Sequence, residues 1–237
     1  MKVSIIIPTY NHFSDLLRPC LETVEKYTDL KDKEIIIVSN GSTDETVPYI
    51  EYRKKCGLPY KVFDYPKPLG FPRANNVGAF AAQGEYLVLL NNDALILPCV
   101  KDAWINIMMD PFEIDSKVGV SGPVATVNVD TNRFFIIFVC AMVKRTVWEQ
   151  LNGMDEIFNP GYGDDVDFCI RAEMAGHKLV KVPVGGRVIQ DKNLTLVDFP
   201  IKHLSFGTFK DHVKLQERLR KSGEILFKRY GKIGEQI

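Results

Sequence analysis

Val3-Ser4-Ile5-Ile6-Ile7-Pro8-Thr9-Tyr10-Asn11 is a β-branched run that stops abruptly in polar residues. A short apolar run of this kind reads as a buried strand. Working outward, Leu17, Cys20, Leu21 and Val24 follow at the i, i+3, i+4, i+7 spacing of an amphipathic helix. Residues 34–38 repeat the buried strand, and Ser42-Thr43-Asp44-Glu45 fits a capping box, with Pro48 early in the helix it opens. Residues 60–65 give a third strand. A helix over about 73–82 stops at Gly84, before a fourth strand at 86–90. This alternation predicts an α/β fold with a Rossmann-like, mostly parallel central sheet flanked by helices. Ligands on such sheets bind beyond the carboxyl ends of the strands.

The second half is less regular. Val100, Trp104, Ile107 and Met108 mark one more helical face. Residues 134–143, the longest apolar run, read as a single buried central strand, followed by a short helix over 145–151. Residues 165–175 read as a helix with Val166, Ile170 and Met174 on one face and Gly176 at its C-cap. Residues 178–182 form a strand closed by Pro183. The chain from Thr208 onward carries eight basic and four acidic side chains and reads as an amphipathic helix around Leu215, Leu219 and Leu226. No repeat or Gly/Ser linker divides the chain, so one domain is expected over 1–207, with the basic helix over 208–237.

Thirty Lys plus Arg balance 30 Asp plus Glu, which argues against a nucleic-acid binder. The tail's net +4 is offset by −4 over residues 1–207, so the domain is mildly acidic. Cys20, Cys56, Cys99, Cys140 and Cys169 are widely spaced with no CxxC pair, the usage of a reducing compartment and a poor zinc framework. The N-terminal apolar stretch is too short, and too soon broken by Pro8, for a signal peptide. The ten residues at 134–143 cannot cross a bilayer, which takes about 20 as a helix. A cytoplasmic protein is expected; its C-terminal helix reads first as a solvated helix packed on the domain, with a partner helix or one in peripheral contact with the inner membrane face as the alternative.

Three constellations carry chemistry. Asn91-Asn92-Asp93 follows the fourth strand directly, and a carboxylate among amides can hold a hard divalent cation through oxygen atoms; a polar turn is the plainer alternative. In Gly163-Asp164-Asp165-Val166-Asp167, a helix N-terminus keeps Asp165 ionised, as a proton acceptor must be, while Asp167 reads as solvent-facing or capping; plain acidic charging of a helix start is the better reading of this motif taken alone. Leu69-Gly70-Phe71-Pro72-Arg73-Ala74-Asn75-Asn76 is a Gly-containing loop with one Arg entering a helix, a cradle for a diphosphate or an ordinary surface loop. No GxGxxG follows the first strand and no GxxxxGK[ST] occurs, so a dinucleotide site and a P-loop are both disfavoured.

Taken in order, strand-PTYN, strand-SNGSTDET, LGFPRANN, strand-NND and GDDVDFCIRAEMAG resemble the family-two inverting glycosyltransferases of the GT-A fold. The likeness covers about residues 3–206 and is strongest to the branch with rhamnosyltransferases and cell-surface polysaccharide enzymes. It implies a nucleotide-binding half over about 1–100 and an acceptor half over about 101–207. It places Pro8, Thr9, Tyr10, Ser39, Asn40, Arg73, Asn76 and Asn92 at the nucleotide. Ser39 stands where the family has an Asp that contacts the base, so base recognition falls to Asn40. The resemblance makes Asp93, with Asn91, the ligand of a divalent cation (Mn²⁺ or Mg²⁺), and puts His203 near that cation, where a structural histidine is the rival reading.

The resemblance further makes Asp165 the general base and places Tyr162 and Asp164 on the acceptor side. Trp148 reads first as core. The implied reaction moves a sugar from a nucleoside-diphosphate-sugar (UDP or dTDP) to a hydroxyl of a glycan, a lipid-linked glycan or a protein. The QxxRW motif of processive synthases is missing, which implies one sugar per event. A nucleotidyltransferase is disfavoured for want of a Gly-rich N-terminal loop. A catalytically inactive nucleotide- or glycan-binding module of the same fold is the alternative.

Overall fold

The computed structural model describes residues 2–182, 186–190, 193–197, 199–204 and 212–233. The four expected strands form as β1 (Val3–Thr9), β2 (Lys33–Asn40), β3 (Tyr60–Tyr65) and β4 (Tyr86–Leu90). They are joined by α1 (Arg18–Tyr27), α2 (Thr46–Lys55) and α3 (Phe71–Ala81). Next come β5 (Ala94–Ile96), α4 (Ala103–Ile114), β6 (Val118–Gly122), β7 (Ala125–Val127), β8 (Phe134–Ile136) and β9 (Cys140–Lys144). The chain continues through α5 (Arg145–Gln150), α6 (Asp164–Met174), β10 (Lys178–Lys181) and the hairpin of β11 (Gly186–Gln190) with β12 (Asn193–Val197). β13 (Ile201–His203) and α7 (His212–Tyr230) complete the described elements. Pro183, expected to close β10, and residues 208–211 at the start of the tail lie outside the described residues.

Seven strands make the central sheet in the order β10-β6-β9-β4-β1-β2-β3, and β9 alone runs antiparallel to its neighbours. Alternation along each strand sends Ile5, Ile7, Ile35, Ile37, Val88 and Leu90 to one face, against Leu21 of α1 and Trp104 and Met108 of α4. Ile6, Ile36, Val38, Leu87 and Leu89 go to the other, against Ala74, Trp148 and Phe168 from α3, α5 and α6. Burial on both faces is why these strands read as unbroken apolar runs. The chain leaves β1 for β2 and β3 on one side, then returns to β4 on the other. The crevice between β1 and β4 is therefore the topological switch point, where open α/β sheets take their ligands.

Three expectations are corrected. The run at 134–143 is two strands: β8 pairs with β7, β9 enters the central sheet, and the chain bends at 137–139. The bend is held from both sides, by the Ile137 N–H on the Val124 carbonyl and by the Asn91 N–H on the Val139 carbonyl, each at 2.9 Å. The capping box at 42–45 does not form, because Asp44 takes the Thr46 N–H and hydroxyl while Ser42 is engaged across the sheet edge. Helix α6 buries Val166 and Ile170 as expected but emerges in its last turn, where Met174 is exposed.

Candidate active site

The ends of β1 and β2 are built as one unit. Asn11 and His12 take left-handed backbone conformations (φ 50° and 57°), turning the chain sharply off β1, a strain residues other than Gly seldom carry away from functional sites. The loop after β2 holds that turn. Asn11 Oδ1 accepts the Thr43 N–H at 2.8 Å, Ser42 Oγ accepts the Asn11 N–H at 3.0 Å, and Asp44 Oδ2 accepts the Phe13 N–H at 2.8 Å. Burial works against the Asp44 charge, yet these hydrogen bonds hold its carboxyl below the ordinary range. Pro8 and Thr9 thus end a buried strand, with Tyr10 exposed just beyond. Ser39 is buried and donates to Asp64 Oδ1 at 2.8 Å, while Asn40 Oδ1 accepts the Leu69 N–H.

Across the switch point, Asn92 Nδ2 donates to Thr9 Oγ1 at 2.9 Å, which ties the β4 end to the β1 end. Asp93 is buried, and His203 Nε2 lies 3.1 Å from its Oδ1. The pairing of β13 with β5 brings them together: His203 sits opposite Ala94, and the Leu204 N–H donates to the Asp93 carbonyl at 2.9 Å. Beside them Asn91 Oδ1 is a buried oxygen with no hydrogen-bond partner among the described residues. A buried acceptor left in this state costs about 1–3 kcal/mol unless something donates or coordinates to it. A carboxylate, an unsatisfied amide oxygen and an imidazole are the donor types that a hard divalent cation takes. Among the described residues no three His, Cys, Asp or Glu side chains gather into a ready-made cage.

Asp164 and Asp165 open α6, preceded by Gly161, Tyr162 and Gly163, all at positive φ. Asp165 is half-buried; its Oδ1 accepts the Val166 N–H at 2.9 Å, and the Phe138 amide favours the charge on the same carboxylate. Burial outweighs these donors and pushes Asp165 up to about 6. Asp164 is driven well above the ordinary range by burial and then by the Asp165 charge beside it. The bend at 137–139 therefore does two things with consecutive residues: the Phe138 amide favours the Asp165 charge, and the Val139 carbonyl holds the Asn91 turn.

Asp167 is not solvent-facing. It is fully buried and accepts from Arg171 Nε at 2.7 Å, Arg229 Nη1 at 2.9 Å and Tyr230 Oη at 2.6 Å. Arg229 also reaches Asp155 at 2.8 Å, and Arg171 binds the Leu151 and Gly153 carbonyls at 2.8 and 2.9 Å. The end of α7 is thereby latched onto the helix that begins with Asp165.

The LGFPR loop meets the segment before α6. Gly70, at φ 89° and ψ 160°, occupies backbone space that only Gly enters freely, and a Cβ there would collide with the Asn159 side chain. Arg73, half-exposed in the first turn of α3, lies 3.7 Å from Glu156. Asn76, expected at the nucleotide, instead clamps Met154 with both ends of its amide, each at 2.9 Å. Trp148 is core, packed on Phe168 with ring centroids 5.0 Å apart. Tyr162 borders the same loop, at φ 76° and within electrostatic reach of Arg218.

The structure thus gathers Pro8, Thr9, Tyr10, Ser39, Asn40, Asn91, Asn92, Asp93 and His203 along one sheet edge, with the Asp165 charge favoured by the Phe138 amide of the bend that holds Asn91. Arg73, Asn76 and Tyr162 lie in the loops around α3 and α6. Asp64 and the 137–139 bend were missed, the first because it looks like any strand end, the second because no Gly or Pro marks it.

The family described as Glycosyl transferase family 2 matches residues 4–159. The O-antigen biosynthesis protein RfbC of Myxococcus xanthus is 28% identical over 216 residues, covering 76% of this chain and 16% of that protein. This chain therefore spans about a sixth of that relative's length. Among solved structures, the mannosyltransferase PcManGT from Pyrobaculum calidifontis, in complex with GDP-Man and Mn²⁺, superposes with a TM-score of 0.63 at 22% identity, over 77% of this chain and 55% of that one. GalNAc-T7, solved with UDP, GalNAc and Mn²⁺, gives a TM-score of 0.65 at 16% identity, over 76% and 42%. At these identities the two structures establish the GT-A fold.

Proposed function

We propose that this chain, which belongs to glycosyl transferase family 2, moves one sugar at a time from a nucleoside-diphosphate-sugar to a hydroxyl acceptor, with inversion at the anomeric carbon. The observation that carries the reading is the shared bend. Consecutive residues of it serve both groups: the Phe138 amide favours the charge on the Asp165 carboxylate, and the Val139 carbonyl accepts the Asn91 N–H of the cation-competent turn.

In this reading the nucleotide lies over Pro8, Thr9, Tyr10, Ser39 and Asn40, with Asn92 tying that edge to the diphosphate end. Arg73 must leave Glu156 to reach the diphosphate, and Asn76 acts indirectly, through the Met154 loop. Asp93, Asn91 and His203 would hold a divalent cation, Mn²⁺ or Mg²⁺, whose charge would stabilise the departing diphosphate. Asp165 takes the proton from the attacking acceptor hydroxyl, and Asp164 and Tyr162 border the acceptor. The Val166 N–H aims the Asp165 carboxylate, and the Phe138 amide favours its charge. With its pKa near 6, Asp165 is ionised at neutral pH yet basic enough to accept a proton in the transition state.

Glycan, lipid-linked glycan or protein remain the acceptor classes in this proposal. α7 presents Lys214, Lys221 and Lys228 with exposed Val213 and Phe227, which supports peripheral contact of a cytoplasmic protein with an anionic membrane face. No helix among the described residues is long and apolar enough to cross a membrane.

The test is transfer by Asp165→Asn with a nucleotide-sugar panel. Donor binding should persist while transfer falls about 10²-fold or more. Transfer by the unchanged enzyme should rise with pH through about 6 and level off above, because protonation disables a base. Undiminished turnover in the variant rules Asp165 out as the base. Absence of binding by any nucleoside diphosphate, with or without Mn²⁺, favours the inactive-module alternative.

A further inference from the structure

The register of the three parallel strands places Thr9, Ser39 and Asp64 side by side at the carboxyl edge. Neighbouring strands are about 4.8 Å apart, so the row crosses roughly 10 Å of the sheet edge. It is hydrogen-bonded at both ends: Asn92 Nδ2 donates to Thr9 Oγ1 at 2.9 Å, and Ser39 Oγ donates to Asp64 Oδ1 at 2.8 Å. Thr9 and Ser39 are buried, and only Asp64 is exposed. The side chains next to it are committed elsewhere. Ser39 has spent its single proton on Asp64, and the Asn40 amide oxygen is taken by the Leu69 N–H. No Lys, Arg or His among the described residues forms an ion pair with Asp64.

We propose that Asp64 reads the base of the donor nucleotide and that it selects a pyrimidine imide, uracil or thymine. The inference rests on the nucleotide reading above and deepens it. The row begins at the β4 end, next to Asp93, and finishes at Asp64 on the edge strand. An extended nucleoside diphosphate laid along it, diphosphate at the switch point, brings its base to Asp64. Tyr10, exposed just past Thr9, offers an aromatic face along the way.

An ionised carboxylate only accepts hydrogen bonds, so it pairs with a base edge that donates. Uracil and thymine each present one ring N–H between two carbonyls. Adenine and cytosine present a bare ring nitrogen there, whose lone pair repels a carboxylate. Guanine presents two donors in a row, which suit a carboxylate with both oxygens free. Here Ser39 occupies one of them, leaving a single outward oxygen for a single donor.

The experiment measures binding of UDP, dTDP, GDP, CDP and ADP, each with Mn²⁺, by calorimetry on the unaltered chain, Asp64→Ala and Asp64→Asn. A sixth ligand, UDP methylated at N3, lacks the donor. UDP or dTDP should bind about tenfold or more tighter than the other three, the scale of one charge-assisted hydrogen bond. The two arms distinguish uracil from thymine through its C5 methyl group. Asp64→Ala should lose that factor for UDP, N3-methylation should cost the same on the unaltered chain, and methylation should cost nothing further on Asp64→Ala. Asp64→Asn, which keeps the shape and adds a donor, should shift preference from UDP toward CDP.

Equal UDP binding by all three proteins, an N3-methyl penalty that survives Asp64→Ala, or a preference for GDP each overturns the assignment while leaving the transferase reading intact. Binding of no nucleotide by any of the three overturns both.

Discussion

Replacing Asp165 by Asn should make the protein more stable at neutral pH while disabling it. The Asp165 carboxyl is pushed from its ordinary 3.8 to about 6 by burial. At 1.36 kcal/mol per unit, keeping it ionised in the folded state costs about 3 kcal/mol. Asn removes that cost, and with it the charge that drives Asp164 upward. Against this stands one lost acceptor, for the Val166 or the Phe138 N–H, at about 1 kcal/mol. The net gain is about 2 kcal/mol, or about 4–8 °C in Tm for a chain of this size.

The sign depends on pH in a defined way. A carboxyl whose folded pKa is raised destabilises fully above about 6, and the penalty vanishes below its unfolded value near 4. Thermal melts of both proteins at pH 8 and pH 4 check this. The variant should lead at pH 8 and be level or slightly behind at pH 4, where the penalty is nearly gone and the acceptor loss remains. A variant less stable at pH 8, or a gap independent of pH, refutes burial as the source of the shift.

Asp167→Ala leaves Arg171 and Arg229 facing a buried void and should cost about 3–5 kcal/mol in chemical denaturation. Loss under 1 kcal/mol shows the latch to be idle. Gly70→Ala should destabilise by about 1–3 kcal/mol, read by the same assay, because its backbone region is closed to Ala and its Cβ meets Asn159. Asp93→Ala should abolish the extra thermal stabilisation that Mn²⁺ confers in the presence of UDP, whereas Asn76→Ala should leave it in place. A Mn²⁺ effect that survives Asp93→Ala removes Asp93 from the cation site.

The parallel half of the sheet was legible because strands buried on both faces must be apolar throughout, and Val3 to Ile7, Ile35 to Val38 and Leu87 to Leu90 leave little else to be. The polar turns at their ends stood out for the same reason. What stayed hidden depends on contacts remote in sequence. Nothing in 134–143 announces a bend, since its cause lies in Val124 and Asn91. Asp167 looks like one more acidic residue at a helix start, because two of its partners are over 60 positions away. Ser42 to Glu45 matches a capping box locally, yet Asn11 and Phe13 recruit Ser42 and Asp44 across the sheet edge.

The contact between Asp167 and Arg229 has a consequence for how the protein comes into being. Sixty-two positions separate the two residues. A ribosome releases Asp167 first, so for the time it takes to make those residues the buried carboxylate has Arg171 as its one cationic partner, and Asp155 has lost its own. The face of the sheet around Ile5, Ile7, Ile35 and Val88 packs without α7, whereas the opposite face also waits for Leu226. The helix that starts with Asp165 gains its full support only when the end of α7 arrives. The helix assigned to the chemistry is thus completed from outside itself, by residues made 62 positions after Asp167.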